Sequence, residues 1–511
     1  MIYVNCLCLC FFVTLVQSAR ILGIIPMPSY SHQNHLRPLW RELLLNGHHL
    51  TVLTTEPMND PLLTNLTEID INNVTAPFNF IKIMDVPLWK LHYKLVELTE
   101  KLIDSQLSNP EVQKIINNPS EKFDLLIIEG FLTAHYAFSH RFNCPFISVV
   151  TLEAYAFIHY QIGNPTHYAL YPDYDLGFPR QLTFSQRLQS LSYNIYYQLL
   201  QRYFTVPVQQ RLIEKHFGEN YPPIQEVFKN FSVFFLNANS VIHPVRPLLP
   251  NVVPIWGKFL IRKSKALPEE LQNLLDRSTQ GAIYFSLGSN VKSNQMSEEI
   301  LNSINNAFKE LPYTVLWKFE DEHLSNKPDN VIISKWFPQQ DVLRHPNMKL
   351  FITQGGVHSF DEALDAHLPL IGIPIMGDQI ANCHELTFKG LGVMLEYKSI
   401  TKDVLKSAIL EVINNPKYKN TVKFYARLAT DQPETGLERA VWWTEYVLRH
   451  KGAPHLRNPA YELPFYQYYS LDVIGFCLSL ILLSVYLSFK IVCVVLKLVK
   501  RFQLKSKQKQ M

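Results

Sequence analysis

The stretch 350–379, LFITQGGVHSFDEALDAHLPLIGIPIMGDQ, constrains this chain more than any other part of it. Its first four residues are an apolar run of strand character, and Gly355-Gly356 lets the backbone turn tightly and come close to a ligand. A helix from about Ser359 is expected to follow. The free N–H groups of its first turn would face whatever sits above the strand's end, which suits a diphosphate. A Gly-Gly pair alone says little. Here Glu362, Pro369, Pro374, Asp378 and Gln379 follow it at set spacing, and Trp336-Phe337-Pro338-Gln339 precedes it.

Two strand-helix series run along the chain, one opening at Arg20 and one at Gly281. The first has apolar runs at 21–25, 50–53 and 123–128, with a helix through Leu36, Leu39, Trp40, Leu43 and Leu44 stopped by Gly47. The second has runs at 282–286, 314–318, 331–333, 350–353 and 370–373. This alternation predicts an α/β chain with two doubly wound, Rossmann-like domains. Open parallel sheets of this kind bind ligands beyond the carboxyl ends of their strands. We place the first domain at 20–243, a linker at 244–280 opened by a Pro-rich stretch at 244–254, the second domain at 281–430, and a return segment at 431–470.

At 511 residues the chain is too long for one ordinary domain. Its 47% hydrophobic residues can build cores, and a formal net charge of +4, much of it in the tail, gives no argument for nucleic acid. Residues 2–16 are apolar, too short to span a bilayer comfortably, and end at Ser18 and Ala19, so 1–19 reads as a signal peptide cut near Ser18, with a buried first strand as the alternative. Near the other end, 471–496 reads as a transmembrane helix, interrupted by Lys490. Lys497, Lys500, Arg501, Lys505, Lys507 and Lys509 follow without an acid. That bias puts the tail 497–511 in the cytosol and the body in the lumen, as a single-pass type I protein. Lysines three and five places from the end resemble the dilysine retrieval signal of endoplasmic reticulum membrane proteins. Sequons at Asn65, Asn73 and Asn230 agree with a lumenal body. Only Cys144 and Cys383 remain in that body, so no disulfide framework is expected, and no Cys or His spacing makes a closed metal site.

The 336–379 pattern, with Asp431-Gln432-Pro433, Arg439-Ala440-Val441 and Arg449-His450-Lys451-Gly452-Ala453, resembles the UDP-glycosyltransferases, and among them the membrane-bound animal branch. The resemblance covers nearly the whole chain, clearest over 281–456 and weakest over 57–230. It implies two domains facing across a cleft, the GT-B arrangement, with the end of the chain crossing back to the first domain. The usual family His before the double glycine is Gln354 here, as in insect members.

His32, in the loop 26–33 past the first strand, can serve as general base, with an unperturbed pKa near ~6.5. The family's Ser-His pattern falls at this place; a helix cap by Ser31 or His32 is the bland alternative. Glu129 ends the 123–128 strand and would orient the imidazolium, where the family commonly has Asp; the rival is a solvated loop carboxylate. For the donor, Trp336 offers a face for uracil, Gln339 a hydrogen bond to ribose or base, and Glu362 an acceptor for both ribose hydroxyls, as the matching family residue does. The capping-box spacing of Ser359 and Glu362 would equally explain the Glu. Gly288-Ser289 resembles the family's phosphate-contacting turn; Ser289, Gln354, Gly356 and Ser359 complete the diphosphate side, Gln354 donating from a neutral amide. Asp378 and Gln379 would bind the sugar hydroxyls, with Asn382 adding a contact; a capping role for Asp378 is the rival. Asp173-Tyr174-Asp175 looks like a metal triplet of another glycosyltransferase fold but lies far from the nucleotide motif, and neither a metal nor a cofactor is expected.

These readings predict an inverting hexosyltransferase using UDP-glucose and small lipophilic hydroxyl acceptors, anchored in the membrane and not bound to nucleic acid, with a homo-oligomer left open. UDP-glucuronic acid is the near alternative donor. A catalytically silent lumenal binder of the same fold is the rival of another class, and lipid or protein acceptors are a further one. The Tyr- and Phe-rich region 155–204 could line an acceptor pocket, touch the membrane or be core.

Overall fold

The computed structural model describes residues 18–72 and 86–509. The signal-peptide reading up to residue 17, the Asn73 sequon and the last two residues lie outside them. Ala19 is buried, and its N–H donates to His48 Nδ1 at 3.1 Å.

Two parallel sheets form one compact unit ending at Leu456. The first contains β1 (Arg20–Ile24), β2 (His49–Thr54), β3 (Leu66–Asp70), β4 (Leu125–Glu129), β5 (Phe146–Val150), β6 (Phe231–Leu236) and β7 (Val252–Pro254), in the order β3-β2-β1-β4-β5-β6-β7. The second contains β8 (Ala282–Ser286), β9 (Thr314–Lys318), β10 (Val331–Ser334), β11 (Met348–Thr353), β12 (Leu370–Gly372) and β13 (Gly392–Met394), in the order β10-β9-β8-β11-β12-β13. Every strand pairing is parallel. Side chains alternate between two cores in each sheet: on β1, Leu22 and Ile24 face one and Ile21 the other; on β8, Ile283 and Phe285 face one and Ala282 and Tyr284 the other. Helices cover both faces, which is why these strands read as unbroken apolar runs. The strand β7 lies inside the stretch read as linker, so the crossing to the second sheet begins after Pro254 rather than at Pro244.

Five helices matter to the site and its surroundings: α1 (Tyr30–Leu45), α2 (Val357–Asp365), α3 (Asp378–Lys389), α4 (Gly436–Arg449) and α5 (Leu471–Lys509). Thr435 and Glu438 make a reciprocal capping box that starts α4. This helix returns to the first sheet, where Ala440 and Val447 pack with Ile21, Leu39 and Trp40, and Glu445 meets His48 Nε2 at 2.8 Å. Gly436 comes so close to the chain beneath it that a Cβ would collide with the Ile255 carbonyl, while its own N–H donates to Gly257 O at 2.7 Å.

Residues 457–511 form a separate unit, dominated by α5. Its 34-residue segment Leu471–Leu504 contains an 18-residue window with a mean hydropathy of 2.4 and is long and apolar enough to cross a membrane. None of its most apolar window is buried against protein, which argues against a core helix.

Gly436→Ala is expected to destabilise the body by about 1–3 kcal/mol through overpacking. The check is the thermal unfolding midpoint of detergent-solubilised protein; an unchanged midpoint would show that the α4 junction yields freely.

Candidate active site

In each sheet the strand order reverses about a central strand, at β1/β4 and at β8/β11, and such reversals leave a crevice beyond the carboxyl ends. The cleft of about 850 Å³ is lined by residues from both: Ser31, His32 and Thr151 from one side, and Ser286, Gly288, Ser289, Trp336, Gln339, Gln354, Gly356, Ser359, Glu362, Asp378 and Gln379 from the other.

His32 sits in the first turn of α1, because the helix begins at Tyr30, and not in a loop as the sequence suggests. The N-cap is Ser29, whose side chain makes no capping bond and instead donates to Asn290 Oδ1 at 3.0 Å, so neither Ser31 nor His32 caps the helix. Glu129, the fully buried last residue of β4, bonds His32 Nδ1 through Oε1, while its Oε2 accepts the Met27 N–H at 3.3 Å. It is therefore no solvated loop carboxylate. With Nδ1 held by the carboxylate, the lone pair is left on Nε2. Burial disfavours the imidazolium, but the charge and hydrogen bond of Glu129, with the charge of Asp378, outweigh it and raise the His32 pKa above 6.5. Phe131 lies beside the ring, centroids 5.6 Å apart, and Tyr155 lies beyond Phe131.

On the opposite side α2 begins at Val357 with Gly356 as N-cap, two residues earlier than expected, so Ser359 and Glu362 are interior and no capping box exists. Glu362 is instead held by the amides of Gln339, at 2.6 Å to Oε2, and Gln340, at 3.0 Å to Oε1. Burial raises its pKa, partly offset by those two hydrogen bonds. Gln339 also reaches Ser359 Oγ at 3.3 Å. Trp336 is half exposed, with Tyr30 edge-on at 5.1 Å, leaving an indole face for a flat ligand.

Gln354 accepts from Thr353 Oγ1 at 2.9 Å, which fixes its amide so that Nε2 lies between Gly288 and Gly356. A Cβ at Gly288, whose φ is +79°, would collide with that nitrogen, so glycine is needed both for the turn and for the amide. The N-terminus of α2, Ser289 and Gln354 Nε2 thus gather uncharged donors at one place. Asp378 is the first residue of α3 and does not cap a helix starting at Ile380; Asn382 Nδ2 donates to it at 2.8 Å. Burial raises its pKa to about 6. Gln379 accepts the Ile375 and Met376 N–H groups through Oε1 at 3.0 and 3.2 Å, leaving its amide N–H groups for a ligand.

Tyr30, Thr151, Asn290, Gln340 and His358 also line the cleft and were not singled out from the sequence. Asn290 and Gln340 each adjoin a residue that was. His358 donates from Nε2 to Thr151 O at 3.0 Å, across the cleft; burial lowers its pKa to about 4. The Asp173-Tyr174-Asp175 carboxylates serve the chain itself: Asp173 accepts the Ala156 and Asp175 N–H groups, and Asp175 pairs with Tyr193 and His92. Among the described residues, no three or more His, Cys, Asp or Glu side chains are grouped to hold a metal. Cys144 and Cys383 are free and buried. The Asn65 side chain is half-buried, and its amide donates to Leu44 O at 3.0 Å and His48 O at 2.6 Å. Asn230 is half-buried at the end of a short turn before β6.

The structure resembles solved glycosyltransferases of the GT-B fold. It matches the glycotransferase of kitacinnamycin with a TM-score of 0.58 at 16% identity over 84% of this chain and all of that one. It matches the spinosyn forosaminyltransferase with a TM-score of 0.56 at 16% identity, over 84% of this chain and 99% of that one. The sequence model of the family described as "UDP-glucoronosyl and UDP-glucosyl transferase" matches residues 20–509, and the chain belongs to that family of UDP-glycosyltransferases. A UDP-glycosyltransferase of Dactylopius coccus, UGT5, is 34% identical over 95% of this chain and 94% of its own length. An ecdysteroid UDP-glucosyltransferase of Spodoptera littoralis nuclear polyhedrosis virus is 31% identical over 89% and 93%, and the human UDP-glucuronosyltransferase 2B7 is 30% identical over 88% of each chain.

A general base must be neutral to accept a proton, so turnover should fall as pH drops through the raised His32 pKa. Glu129→Gln removes the charge that raises the His32 pKa most: the acid limb should move to lower pH, and the rate at neutral pH should drop by about 10²-fold or more as the tautomer loses its anchor. The pH profile of kcat/KM tests this, and an unmoved limb would detach Glu129 from the base.

Proposed function

We propose that the chain is an inverting UDP-glycosyltransferase that moves glucose from UDP-glucose to hydroxyl groups of small lipophilic compounds, with His32 as base and Glu129 as its orienting anion. The observation that carries this reading is the His32–Glu129 pair at one strand-order reversal, facing the Gly288–Gln354–α2 donors at the other. His32 Nε2 takes the acceptor's hydroxyl proton as that oxygen bonds to the anomeric carbon. The carbon's bond to the diphosphate breaks on the opposite face, and UDP leaves with the electron pair. In-line attack on an α-linked donor yields a β-glycoside.

In this reading Trp336 stacks on uracil, Glu362, set by Gln339 and Gln340, accepts from the ribose, and Ser289, Gln354, Gly356 and Ser359 face the diphosphate. Asp378 and Gln379 hold the sugar. Phe131 and Tyr155 beside the base suit a flat apolar acceptor. One observation favours glucose over glucuronate: Asp378, a buried carboxylate of the second domain, lies close enough to help raise the His32 pKa, and an acid there would repel a glucuronate carboxylate. The cleft is also lined by Arg37, Arg41, Arg262, Lys265 and Lys318, of which Arg262, Lys318 and Arg41 are paired with Asp341, Glu320 and Asp60. Relatives named for either sugar keep glucuronate as the second reading. The apolar α5 and the basic tail support a body held on the lumenal side of the endoplasmic reticulum membrane.

The test is UDP release by full-length protein in detergent-opened membranes, with UDP-glucose or UDP-glucuronic acid and a mixture of small phenols. His32→Ala should lower release by about 10²–10⁴-fold while leaving UDP affinity nearly unchanged; equal release would remove the base assignment. Release with UDP-glucuronic acid alone would transfer the donor assignment to that sugar. UDP binding without release from either donor would favour a silent binder or an acceptor of another class.

Glu362→Gln should weaken UDP binding by about tenfold, since a charge-assisted bond to the ribose is lost. Titration of the Trp336 fluorescence measures it, and an unchanged affinity would count against ribose binding.

A further inference from the structure

The helix α3 carries the two proposed sugar-binding residues in its first turn, and most of its remaining length is gripped from outside its own domain. Its Cys383 and Leu386 are buried in the second domain, while Ile380, His384 and Phe388, spaced by four, face a segment of the first domain, residues 173–180. At Gly177, φ +58°, that segment passes so close that a Cβ would lie 3.0 Å from Ile380 Cγ2, and its carbonyl accepts from His384 Nε2 at 3.0 Å. Three residues on, Arg180 makes a two-pronged bond to Glu385, Nε to Oε1 at 2.6 Å and Nη2 to Oε2 at 2.9 Å, with its guanidinium 4.4 Å from the Phe388 ring centroid. Lys389 completes the group, 3.2 Å from Glu385.

The segment is fixed at its other end. Asp173 accepts the Ala156 N–H at 3.0 Å, and Asp175 accepts from Tyr193 Oη at 2.9 Å and pairs with His92 Nε2 at 3.1 Å. Tyr155, next to Ala156, brings its hydroxyl to Gly377, the residue before α3, and its ring lies 6.4 Å from Phe131, which lies 5.6 Å from His32. The strap therefore joins the surroundings of the base to the helix that starts with Asp378 and Gln379. Other cross-domain contacts, Ser29 with Asn290 and Tyr30 with Trp336, lie toward the phosphate and base ends of the cleft.

We infer that Arg180 and His384 are positioning residues for the donor sugar: through the 173–180 strap they set the first turn of α3 against His32, and so align the anomeric carbon with the acceptor oxygen. This rests on the reading of Asp378 and Gln379 as sugar-binding residues. A bidentate Arg–carboxylate pair fixes orientation as well as distance, which a point charge does not. Misplacement of a reacting centre by about 1 Å is enough to cost rate heavily.

The experiment compares full-length wild type with Arg180→Ala, Arg180→Lys, His384→Ala and the exchanged pair Arg180→Glu/Glu385→Arg, reading three quantities: affinity for UDP, the ratio of UDP-glucose to UDP affinity, and kcat. Arg180→Ala and His384→Ala should hold UDP affinity within about twofold, lower the affinity ratio, and lower kcat by about tenfold. Arg180→Lys should fall between, and the exchanged pair should regain part of the loss. Unchanged kcat and ratio in both alanine variants would overturn the proposal. So would a loss of UDP affinity in step with kcat that the exchanged pair does not mend, because that is the mark of a merely structural pair. If Arg180→Ala does not fold, His384→Ala decides, since it removes no charge pair. The affinity ratio needs no turnover: a wild type that binds UDP-glucose no better than UDP would overturn the sugar-site reading, whereas a normal wild-type ratio unchanged in the variants would overturn the clasp alone.

Discussion

A parallel strand can rejoin its sheet only through a crossover, and crossovers that leave a central strand in opposite directions cannot fill the space above its carboxyl end. The chain does this twice, at β1/β4 and at β8/β11. His32 and Glu129 stand over the first gap and Gly288 and Gln354 over the second. Everything else in the site follows from holding these two gaps face to face. The return of α4 to the first sheet, sealed by the close approach at Gly436, ties the end of the second domain to the beginning of the chain.

The electrostatics of the cleft follow from burial. An imidazole beside a buried carboxylate is held in one tautomer and kept basic, which a solvated histidine would not be. Asp378 loses water as well and rises to about 6, and it and His32, on opposite domains, feel each other's charge. On the second-domain side, around Gly288 and Gln354, the donors are peptide N–H groups and an amide. A pocket of fixed dipoles receives an anion without reorganising. The Glu362 carboxylate is held by two glutamine amides, so its orientation is set before any ligand arrives.

Five of the six strands of the second sheet were legible nearly to the residue, because runs such as 282–286 and 314–318 are buried on both faces, while the short edge strand β13 was not. The edge strand β3 was not, since Leu66–Asp70 is half exposed and alternates with charge, and β7 was hidden by the prolines around it. Helix starts were misplaced by about four residues at α1 and two at α2, where Ser29 and Gly356 occupy the N-cap without a side-chain bond to mark it. Those small shifts changed the meaning of residues: His32 moved from loop to helix, and Glu362 ceased to be a capping residue. Asn65 carries a sequon in the sequence, and its amide donates to two backbone carbonyls that come from a turn about twenty residues away.

The sequence by itself determined the two doubly wound sheets, the apolar C-terminal helix and many of the residues that line the second domain's side of the cleft, because strand burial, glycine turns and local helix starts act over a few neighbouring residues. The sequence pointed to Glu129 as the partner of His32, but only the tertiary structure showed their contact, that Gln340, Asn290 and Thr151 line the same cleft, and that Arg180 grips Glu385. Those pairs are separated by tens to hundreds of positions and lie on different elements. Their contact is a consequence of how two sheets face one another, and no periodicity in the chain encodes it.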